Sequence, residues 1–334
     1  MIVVGAGIIG LSCAWRLAHR KIRVTVFDSG RAGREASWAG AGMLAPGGEF
    51  EGASPLLEMA LASLARYPEF VGELRRESGV EIDYRQCGAI EIARDEDETN
   101  DLIRRAGWQS SLGIRSEAAH WPRAATARFY PDDAVVNPRD VVDALRLACV
   151  KVGVRLLEHE PVVEVFADGS GVRTARAVHR DAGVLIAAGA WSSLVAAPFG
   201  LAVVTPVRGH LISFGAAPGM LETIVRHGNT YLLQRAHGAI IAGSSTEHAG
   251  FDRVIDKAIT AGIHERASAL LPELARMEPT ENWIGFRPSI EGGMPLIGRI
   301  EGTAVWTAFG HYRNGILLAP ETACRIEKSV VASL

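Results

Sequence analysis

The sequence predicts an α/β protein, in which a Rossmann-like dinucleotide-binding domain is joined to a second, α+β domain on a mainly antiparallel sheet. Three observations support this fold class. The chain opens with an apolar strand, a glycine-rich turn and an apolar helix, which together are typical of a dinucleotide-binding unit. A second apolar strand follows and ends in an acidic residue. Residues 205–282 are dominated by alternating apolar and polar residues, the pattern of half-buried antiparallel strands.

The opening unit can be followed element by element. Residues 2–4 are predicted as a strand, residues 11–20 as a helix and residues 24–27 as a second strand. Asp28 ends this second strand, where a carboxylate can accept hydrogen bonds from ribose hydroxyls. The order of strand, turn, helix, strand and acid therefore indicates a dinucleotide site.

The turn contains Gly5, Gly7 and Gly10 in the spacing GxGxxG. One glycine makes the tight turn, another lets the backbone approach a pyrophosphate, and the third lets helix and strand pack closely. The helix behind the turn directs its N-terminus at the phosphate charge. An ordinary glycine turn is the alternative, but the surrounding elements favour the dinucleotide site. The turn alone does not separate NAD from FAD.

The remaining elements indicate two interleaved domains. Further helices are predicted over residues 56–78, 95–105, 140–152, 255–271 and 315–334. Further strands are predicted over residues 88–93, 154–157, 162–166, 183–189, 231–234, 239–242 and 304–308. Since the α/β pattern is interrupted twice, we expect a discontinuous nucleotide-binding domain formed by residues 1–50, 132–204 and 283–334. Residues 51–131 and 205–282 are expected to form the substrate-binding domain.

Composition excludes several classes of partner. The chain has 334 residues, of which 48% are hydrophobic, and its formal net charge is -3. Because no block of Lys or Arg stands out, neither nucleic acid nor an anionic membrane is expected as a partner. No apolar run is long enough to span a bilayer. The first strand begins at residue 2, so we expect no secretory signal peptide and a soluble chain.

The cysteines and the usual hydrolase motifs add no further chemistry. Cys13, Cys87, Cys149 and Cys324 are scattered and form no CxxC spacing, which argues against disulfides and a metal site and favours reduced thiols in the cytoplasm. The patterns GxSxG and HExxH are absent. His311 is interpreted as a structural residue.

Five segments carry a family resemblance. They are residues 3–10, 37–44, 188–192, 285–288 and 310–320, the last reading GHYRNGILLAP. On these segments the sequence resembles the D-amino-acid oxidase superfamily of flavoproteins and, within it, the glycine oxidases of thiamine biosynthesis. The resemblance implies an FAD domain of the glutathione-reductase type, an antiparallel substrate domain, a homo-oligomer such as a tetramer, and a cytoplasmic location. Residues 288–299 contain no cysteine, so non-covalent FAD is expected.

The resemblance and the local chemistry together assign cofactor-binding positions. Residues 37–43 are small and glycine-rich, which suits a backbone lying against a flat ring. The helix that follows Gly310 can hold negative charge on the flavin with its N-terminus, although an ordinary helix cap is the alternative. Val163 is assigned through its backbone groups near the adenine, with a plain core valine as the alternative. The assigned residues are Gly5, Ala6, Gly7, Ile8, Ile9, Gly10, Asp28, Ser29, Ser37, Ala41, Gly42, Met43, Val163, Ala188, Gly189, Trp191, Gly310, Arg313, Asn314, Gly315, Ile316 and Leu317.

Four residues are assigned to the substrate. Arg287 lies between hydrophobic segments, and the resemblance implies that its planar guanidinium grips the substrate carboxylate; an internal salt bridge is the alternative. Tyr231 is expected to donate its hydroxyl to the same carboxylate, or else to be a half-buried tyrosine of the sheet. Arg313 could assist the carboxylate or orient the flavin. Met43 would face the substrate, with a core methionine as the alternative.

The expected activity is FAD-dependent oxidation of glycine or a relative such as sarcosine or D-alanine. Hydride transfer would give an imine, then glyoxylate or another keto acid, ammonia and, with oxygen as the electron acceptor, hydrogen peroxide. Two alternatives are open: a dehydrogenase that uses another electron carrier, and a non-catalytic dinucleotide-binding protein. The sequence departs from the family pattern at Asn229, where a histidine can occur, and at Thr246, where a bulkier apolar residue can occur, so the preferred amino acid is open.

Overall fold

The computed structural model describes residues 1–50 and 52–334, and the predicted domain boundary at residue 51 lies outside the described residues. The strands are β1 (Ile2–Val4), β2 (Thr25–Phe27), β3 (Met43–Leu44), β4 (Tyr84–Arg85), β5 (Ala89–Ala93), β6 (Glu117–Ala119), β7 (Thr126–Tyr130), β8 (Ala134–Val136), β9 (Arg155–Leu157), β10 (Val162–Val165), β11 (Gly171–Thr174), β12 (Val178–Arg180), β13 (Val184–Ile186), β14 (Val204–Phe214), β15 (Ile224–His227), β16 (Thr230–Gln234), β17 (Ile240–Gly243), β18 (Glu281–Ile290), β19 (Leu296–Arg299) and β20 (Val305–Phe309).

The helices alternate with these strands and confirm the α/β class. The α-helices are α1 (Ile8–His19), α2 (Ala36–Ala39), α3 (Pro46–Glu49), α4 (Pro55–Ser78), α5 (Glu96–Ser111), α6 (Pro138–Lys151), α7 (Ser192–Ala196), α8 (Lys257–Leu270) and α9 (Gly315–Val331). Short 3-10 helices lie at Gly189–Trp191, Ala197–Phe199, Pro272–Arg276 and Tyr312–Asn314.

The first sheet is the predicted Rossmann-like sheet. Its strands lie in the order β19-β20-β13-β1-β2-β9, and all neighbours are parallel except β19 and β20. The central strands are buried along their whole length, as expected for a parallel sheet whose two faces are both covered. Helix α1 packs against α6 and α9 beside this sheet.

The second sheet is large and mainly antiparallel, as predicted. Its order is β18-β14-β17-β16-β15-β5-β7-β6, and β15 with β5 is its parallel pair. Strands β14 and β18 pair over ten positions, from Val204 with Ile290 to Ser213 with Glu281. Strand β18 therefore runs without interruption across the predicted domain boundary at residue 283. The domain boundaries stay a prediction.

Several predicted helices differ from the observed ones at their ends, and α1 and α5 show why. Helix α1 begins at Ile8 rather than residue 11, because Gly7 is still extended and serves as its N-cap. Helix α5 continues to Ser111, since Leu102, Ala106 and Gln109 bury one of its faces. Packing of this face against the rest of the protein thus extends the helix. The charged residues on which the prediction was based do not show this packing.

No helix in the described part of the chain is long and apolar enough to cross a membrane. Within these described residues, His, Cys, Asp and Glu form no cluster able to hold a metal ion. The expected homo-oligomer and cytoplasmic location stay predictions.

Candidate active site

A cleft of about 330 Å³ lies between the two sheets. One wall is formed by the loops that follow β1, β2, β13 and β20. In open α/β sheets, ligands bind beyond the carboxyl ends of the strands, and these loops occupy that edge. The facing wall comes from the large sheet and includes Gly209, Leu211, Tyr231 and Arg287.

The first turn has a shape that only glycine permits. Gly5 has a φ of +104°, and a Cβ atom there would lie 2.4 Å from the carbonyl oxygen of Ala187. A Cβ atom on Gly10 would lie 1.9 Å from the carbonyl oxygen of Gly5. Because both obstacles are backbone atoms, side chains at these positions would push the turn apart. The turn therefore brings bare backbone to the cleft.

Asp28 joins the first two strands at this turn. Its Oδ2 accepts a hydrogen bond of 2.7 Å from the backbone N–H of Ala6, and its Oδ1 accepts one of 2.8 Å from Gly30. Burial raises the pKa of Asp28, and these hydrogen bonds offset the increase only in part. A carboxylate in this position fixes the loop between strand and helix and lines the cleft.

The N-terminus of α1 is held by a residue of α2. Ser37 Oγ accepts a hydrogen bond of 2.9 Å from the backbone N–H of Ile8, the first residue of the helix. A helix N-terminus with free N–H groups and a neighbouring hydroxyl is suited to bind the phosphates of a dinucleotide. Ser37 and Ile8 both line the cleft.

A buried arginine fixes the loop of residues 40–43. Arg235 donates hydrogen bonds to the carbonyl oxygens of Ala41, at 2.6 Å, and Val136, at 3.0 Å. Burial lowers the pKa of Arg235 to about 10. Gly42 has a φ of +81°, and a Cβ atom there would lie 1.9 Å from the Val136 oxygen. Arg235 is not identified by sequence reasoning, because no motif surrounds it.

Most of the predicted cofactor residues line this one cleft. They are Gly5, Gly7, Ile8, Ile9, Asp28, Ser29, Ser37, Ala41, Gly42, Met43, Ala188, Gly189, Trp191, Arg313, Asn314, Gly315, Ile316 and Leu317. Ala6, Gly10 and Gly310 lie beside it, in turns that shape its wall. Val163 is 56% exposed, and its neighbours Pro161 and Val162 line the cleft instead. The assignment of these residues to a cofactor stays a prediction.

The loop before α9 contributes a buried histidine. His311 Nε2 lies 3.0 Å from Thr322 Oγ1, and burial lowers the pKa of His311 to about 3. The imidazole is therefore neutral at physiological pH and ties the loop to the helix.

Trp283 and Trp306 are likewise engaged in packing, since each indole N–H donates within the fold, to Ala39 and Ser329 respectively.

The guanidinium of Arg287 lies across Gly209 on the neighbouring strand. A Cβ atom on Gly209 would lie 2.3 to 2.5 Å from the guanidinium nitrogens and Cζ. Arg287 donates from Nη2 to Ser244 Oγ at 2.9 Å and from Nη1 to the Ser245 carbonyl oxygen at 3.0 Å. Gly209, Ser244 and Ser245 are not identified by sequence reasoning, because strand pairing brings them to Arg287 from distant positions.

Tyr231 lies beside the same group. It is 7% exposed and pairs across the sheet with Gly243, where a Cβ atom would lie 2.6 Å from the tyrosine Oη. The structure thus places Tyr231, Arg287, Arg313 and Met43 around one cleft.

Asn229 and Thr246 are both exposed and are not among the described lining residues. The Asn229 carbonyl oxygen accepts a hydrogen bond from the Ser244 N–H at 3.2 Å.

Comparison with known proteins gives one consistent result. Residues 1–326 match the family model described as "DAO: FAD dependent oxidoreductase". The glycine oxidase of Geobacillus kaustophilus is 34% identical over 337 residues, covering 96% of this chain and 89% of the relative. That of Pseudomonas aeruginosa is 34% identical over 341 residues, covering 98% and 93%. The crystal structure of the Geobacillus kaustophilus glycine oxidase superposes with a TM-score of 0.95 at 32% identity, covering 99% of this chain and 94% of that one.

Proposed function

Since the chain belongs to the DAO family of FAD-dependent oxidoreductases and is an FAD-dependent amino-acid oxidase, we propose that its substrate is glycine or another small amine such as sarcosine or D-alanine. The products are an imine, then glyoxylate or the corresponding keto acid, and ammonia. The single observation that carries the proposal is the position of Arg287, which faces the loops of the dinucleotide cleft from the large sheet.

The residues present fit FAD. The glycine turn at residues 5–10 offers bare backbone and a helix N-terminus to the pyrophosphate, and Asp28 lies where a ribose would be held. Residues 41–43 and the N-terminus of α9 form the other end of the cleft, where a flat ring would lie. When bound, FAD accepts the electrons of the substrate and passes them to oxygen, giving hydrogen peroxide.

Arg287 and Tyr231 supply the recognition of the substrate. A guanidinium donates two parallel hydrogen bonds to a carboxylate, which fixes both the position and the orientation of an amino acid. The Tyr231 hydroxyl donates to the same group. Arg313 assists from the flavin side. An amino acid held by its carboxylate keeps its Cα at a defined place in the cleft, from which a Cα–H bond can be presented to the flavin.

Each Asp, Glu and His among the described lining residues already has a partner within the fold. Asp28 is held by two backbone N–H groups, Glu35 forms an ion pair of 2.7 Å with Arg253, and His311 is bonded to Thr322. We therefore propose hydride transfer from an uncharged amine, a step in which the protein orients the substrate and needs no general base.

The test of this function is an anaerobic screen. Glycine, sarcosine, D-alanine and D-proline are added separately to the purified yellow protein, and loss of the visible absorbance of the oxidised flavin is followed. Bleaching by glycine or a close relative, reversed rapidly by air, supports the oxidase. Bleaching that air does not reverse indicates a dehydrogenase with another electron carrier. If no small amine bleaches the flavin, the proposal is wrong and the non-catalytic alternative stands.

Tyr231→Phe tests the role of the tyrosine. Phenylalanine removes the hydroxyl and keeps the ring, so the Michaelis constant for glycine is expected to rise. Since a positioned acid–base group contributes about 10²–10⁴-fold to a rate, the saturating rate of anaerobic flavin reduction is expected to fall by much less than that. The pH dependence of reduction should follow deprotonation of the substrate amine in both proteins.

The opposite outcome is equally clear. A hundredfold collapse of the saturating reduction rate, together with loss of the basic limb of the pH profile, would make Tyr231 a catalytic base. The hydride mechanism without a protein base would then be abandoned.

A further inference from the structure

The oxygen atoms that hold Arg287 belong to a short segment with no regular structure. Ser244 and Ser245 follow the last residue of β17 and supply the two acceptors described above. Nothing in the segment itself fixes these oxygens, because it forms neither helix nor strand. Something outside the segment must therefore hold it in place.

Two residues fasten the segment to β14: Ser245, whose Oγ accepts from the His210 backbone N–H at 2.8 Å, and Glu247. The Glu247 carboxylate holds both Ser245 and β14. Its Oε1 accepts from Ser245 Oγ at 2.5 Å and lies 2.7 Å from His210 Nδ1. Its Oε2 accepts two hydrogen bonds from Arg208, at 2.9 Å from Nε and 2.6 Å from Nη2. The backbones of Arg208 and Glu247 also exchange a pair of hydrogen bonds, at 2.9 and 3.0 Å. The Glu247 carboxylate thus accepts four hydrogen bonds from the side chains of Arg208, His210 and Ser245.

His210 is a fixed donor in this network. Its Nε2 accepts a hydrogen bond of 3.0 Å from the backbone N–H of Asp256. A backbone N–H can only donate, so Nε2 carries no proton and the proton of the neutral ring is on Nδ1. That proton points at Glu247. The carboxylate is ionised at neutral pH, since hydrogen bonds from Ser245, Arg208 and His210 outweigh burial and hold the pKa of Glu247 below its usual value.

The two faces of β14 connect this network to the substrate site. Successive residues of a strand point to opposite faces. Gly209 faces the cleft and lies under the Arg287 guanidinium, while Arg208 and His210 point the other way and bind Glu247. Residues 208–210 therefore have two roles. Gly209 packs against the Arg287 guanidinium, while Arg208 and His210 bind Glu247 and so anchor the segment that accepts hydrogen bonds from Arg287.

We propose that Glu247 is a positioning residue for the substrate carboxylate: it holds Ser244 and Ser245 in register with β14 and thereby orients Arg287. This inference rests on the proposed function. Glu247 itself is not among the described residues that line the cleft.

Glu247→Gln tests the inference. A glutamine has one acceptor oxygen and one NH₂ group, so either Arg208 or the pair of Ser245 and His210 then faces donors instead of an acceptor. We expect the dissociation constant for acetate, which keeps the carboxylate and lacks the amine, to rise about tenfold. The Michaelis constant for glycine should rise in parallel. The bound FAD, the melting temperature and the saturating reduction rate should change little.

Glu98→Gln is the matched control. Glu98 also accepts from a histidine, His227 Nε2 at 2.9 Å, but lies on α5, away from the cleft. This variant should bind acetate as the parent protein does. Should Glu247→Gln fail to fold, Ser245→Ala is the second variant. It removes the hydroxyl that donates to Glu247 and accepts from the His210 backbone N–H, and it is expected to weaken acetate binding about threefold.

The outcomes separate this inference from the proposed function. If the parent protein is reduced by glycine and binds acetate, but both Glu247→Gln and Ser245→Ala bind acetate unchanged, the positioning role is overturned and the function stands. A parent protein that neither binds acetate nor is reduced by any small amine overturns both. Loss of FAD in parallel with loss of acetate affinity would identify Glu247 as a general structural residue and also overturn the positioning role.

Discussion

Arg287→Ala is expected to raise the dissociation constant for acetate and the Michaelis constant for glycine together, by about 30-fold or more. Removing one partner of a close charge pair costs about 2–5 kcal/mol, and 2 kcal/mol corresponds to about 30-fold in affinity. FAD binding should survive, because the turns that shape the dinucleotide site are formed by other segments. Titration with acetate, followed through the flavin spectrum, measures the effect without turnover.

Arg173→Ala serves as a control for the loss of an arginine. Arg173 is exposed and pairs with Glu164 at 2.7 Å, so its removal should leave acetate binding unchanged. Arg287→Lys should fall between the parent and the alanine variant, since an ammonium keeps the charge but lacks the planar fork. Unchanged acetate affinity in Arg287→Ala would place the carboxylate elsewhere, with Arg313 as the next candidate.

Gly209→Ala is expected to have an effect of similar size on substrate affinity with little effect on stability. The added methyl group would lie 2.3 to 2.5 Å from the guanidinium of Arg287. Because that group is the end of a flexible side chain, the protein can relieve the overlap by moving the guanidinium rather than the backbone. Arg287 would then leave Ser244 and Ser245. We expect acetate affinity to fall at least tenfold, with normal FAD content and melting temperature.

The same strand offers a control for this substitution. Gly215 directly follows β14, and a Cβ atom there would lie 3.5 Å from Thr280 Cγ2, an ordinary contact. Gly215→Ala should therefore leave acetate binding as it is. Full acetate affinity in Gly209→Ala would mean that the guanidinium does not lie over residue 209 in solution, and the assigned geometry of the substrate site would be wrong.

The sequence predicted the parts of the molecule that are encoded locally. The turn at Gly5 and Gly10 is confirmed: its glycine pattern lies within one short stretch, and the Gly5 carbonyl oxygen leaves no room for a Cβ atom on Gly10. The apolar strands of the first sheet and the alternating strands of the second gave the fold class for the same reason. These features can be predicted because each depends on the residue pattern within a short stretch of the sequence.

The environment of Arg287 could not be predicted in this way. Arg287 itself lies in the segment of residues 285–288 that carries the family resemblance. Gly209, Ser244 and Glu247 lie in no segment that the sequence analysis identified. They meet only because β14 pairs with both β17 and β18, and long-range pairing leaves no local pattern. Val163 illustrates the converse case: its strand was predicted, but the sequence states neither the exposure of its side chain nor the place of its backbone relative to the cleft.

The order of pairing in the first sheet has a consequence for biosynthesis. Strand β1 pairs with β13, and β13 pairs with β20, so Ile2 meets Val184 and Val184 meets Val305. A ribosome that has made the glycine turn must therefore still translate most of the chain before that turn has its neighbours. The cleft has all its walls only after residues 310–317 have emerged. The nascent chain thus carries an unfinished nucleotide sheet until those residues have emerged, and the complete cleft can enclose FAD only after that point.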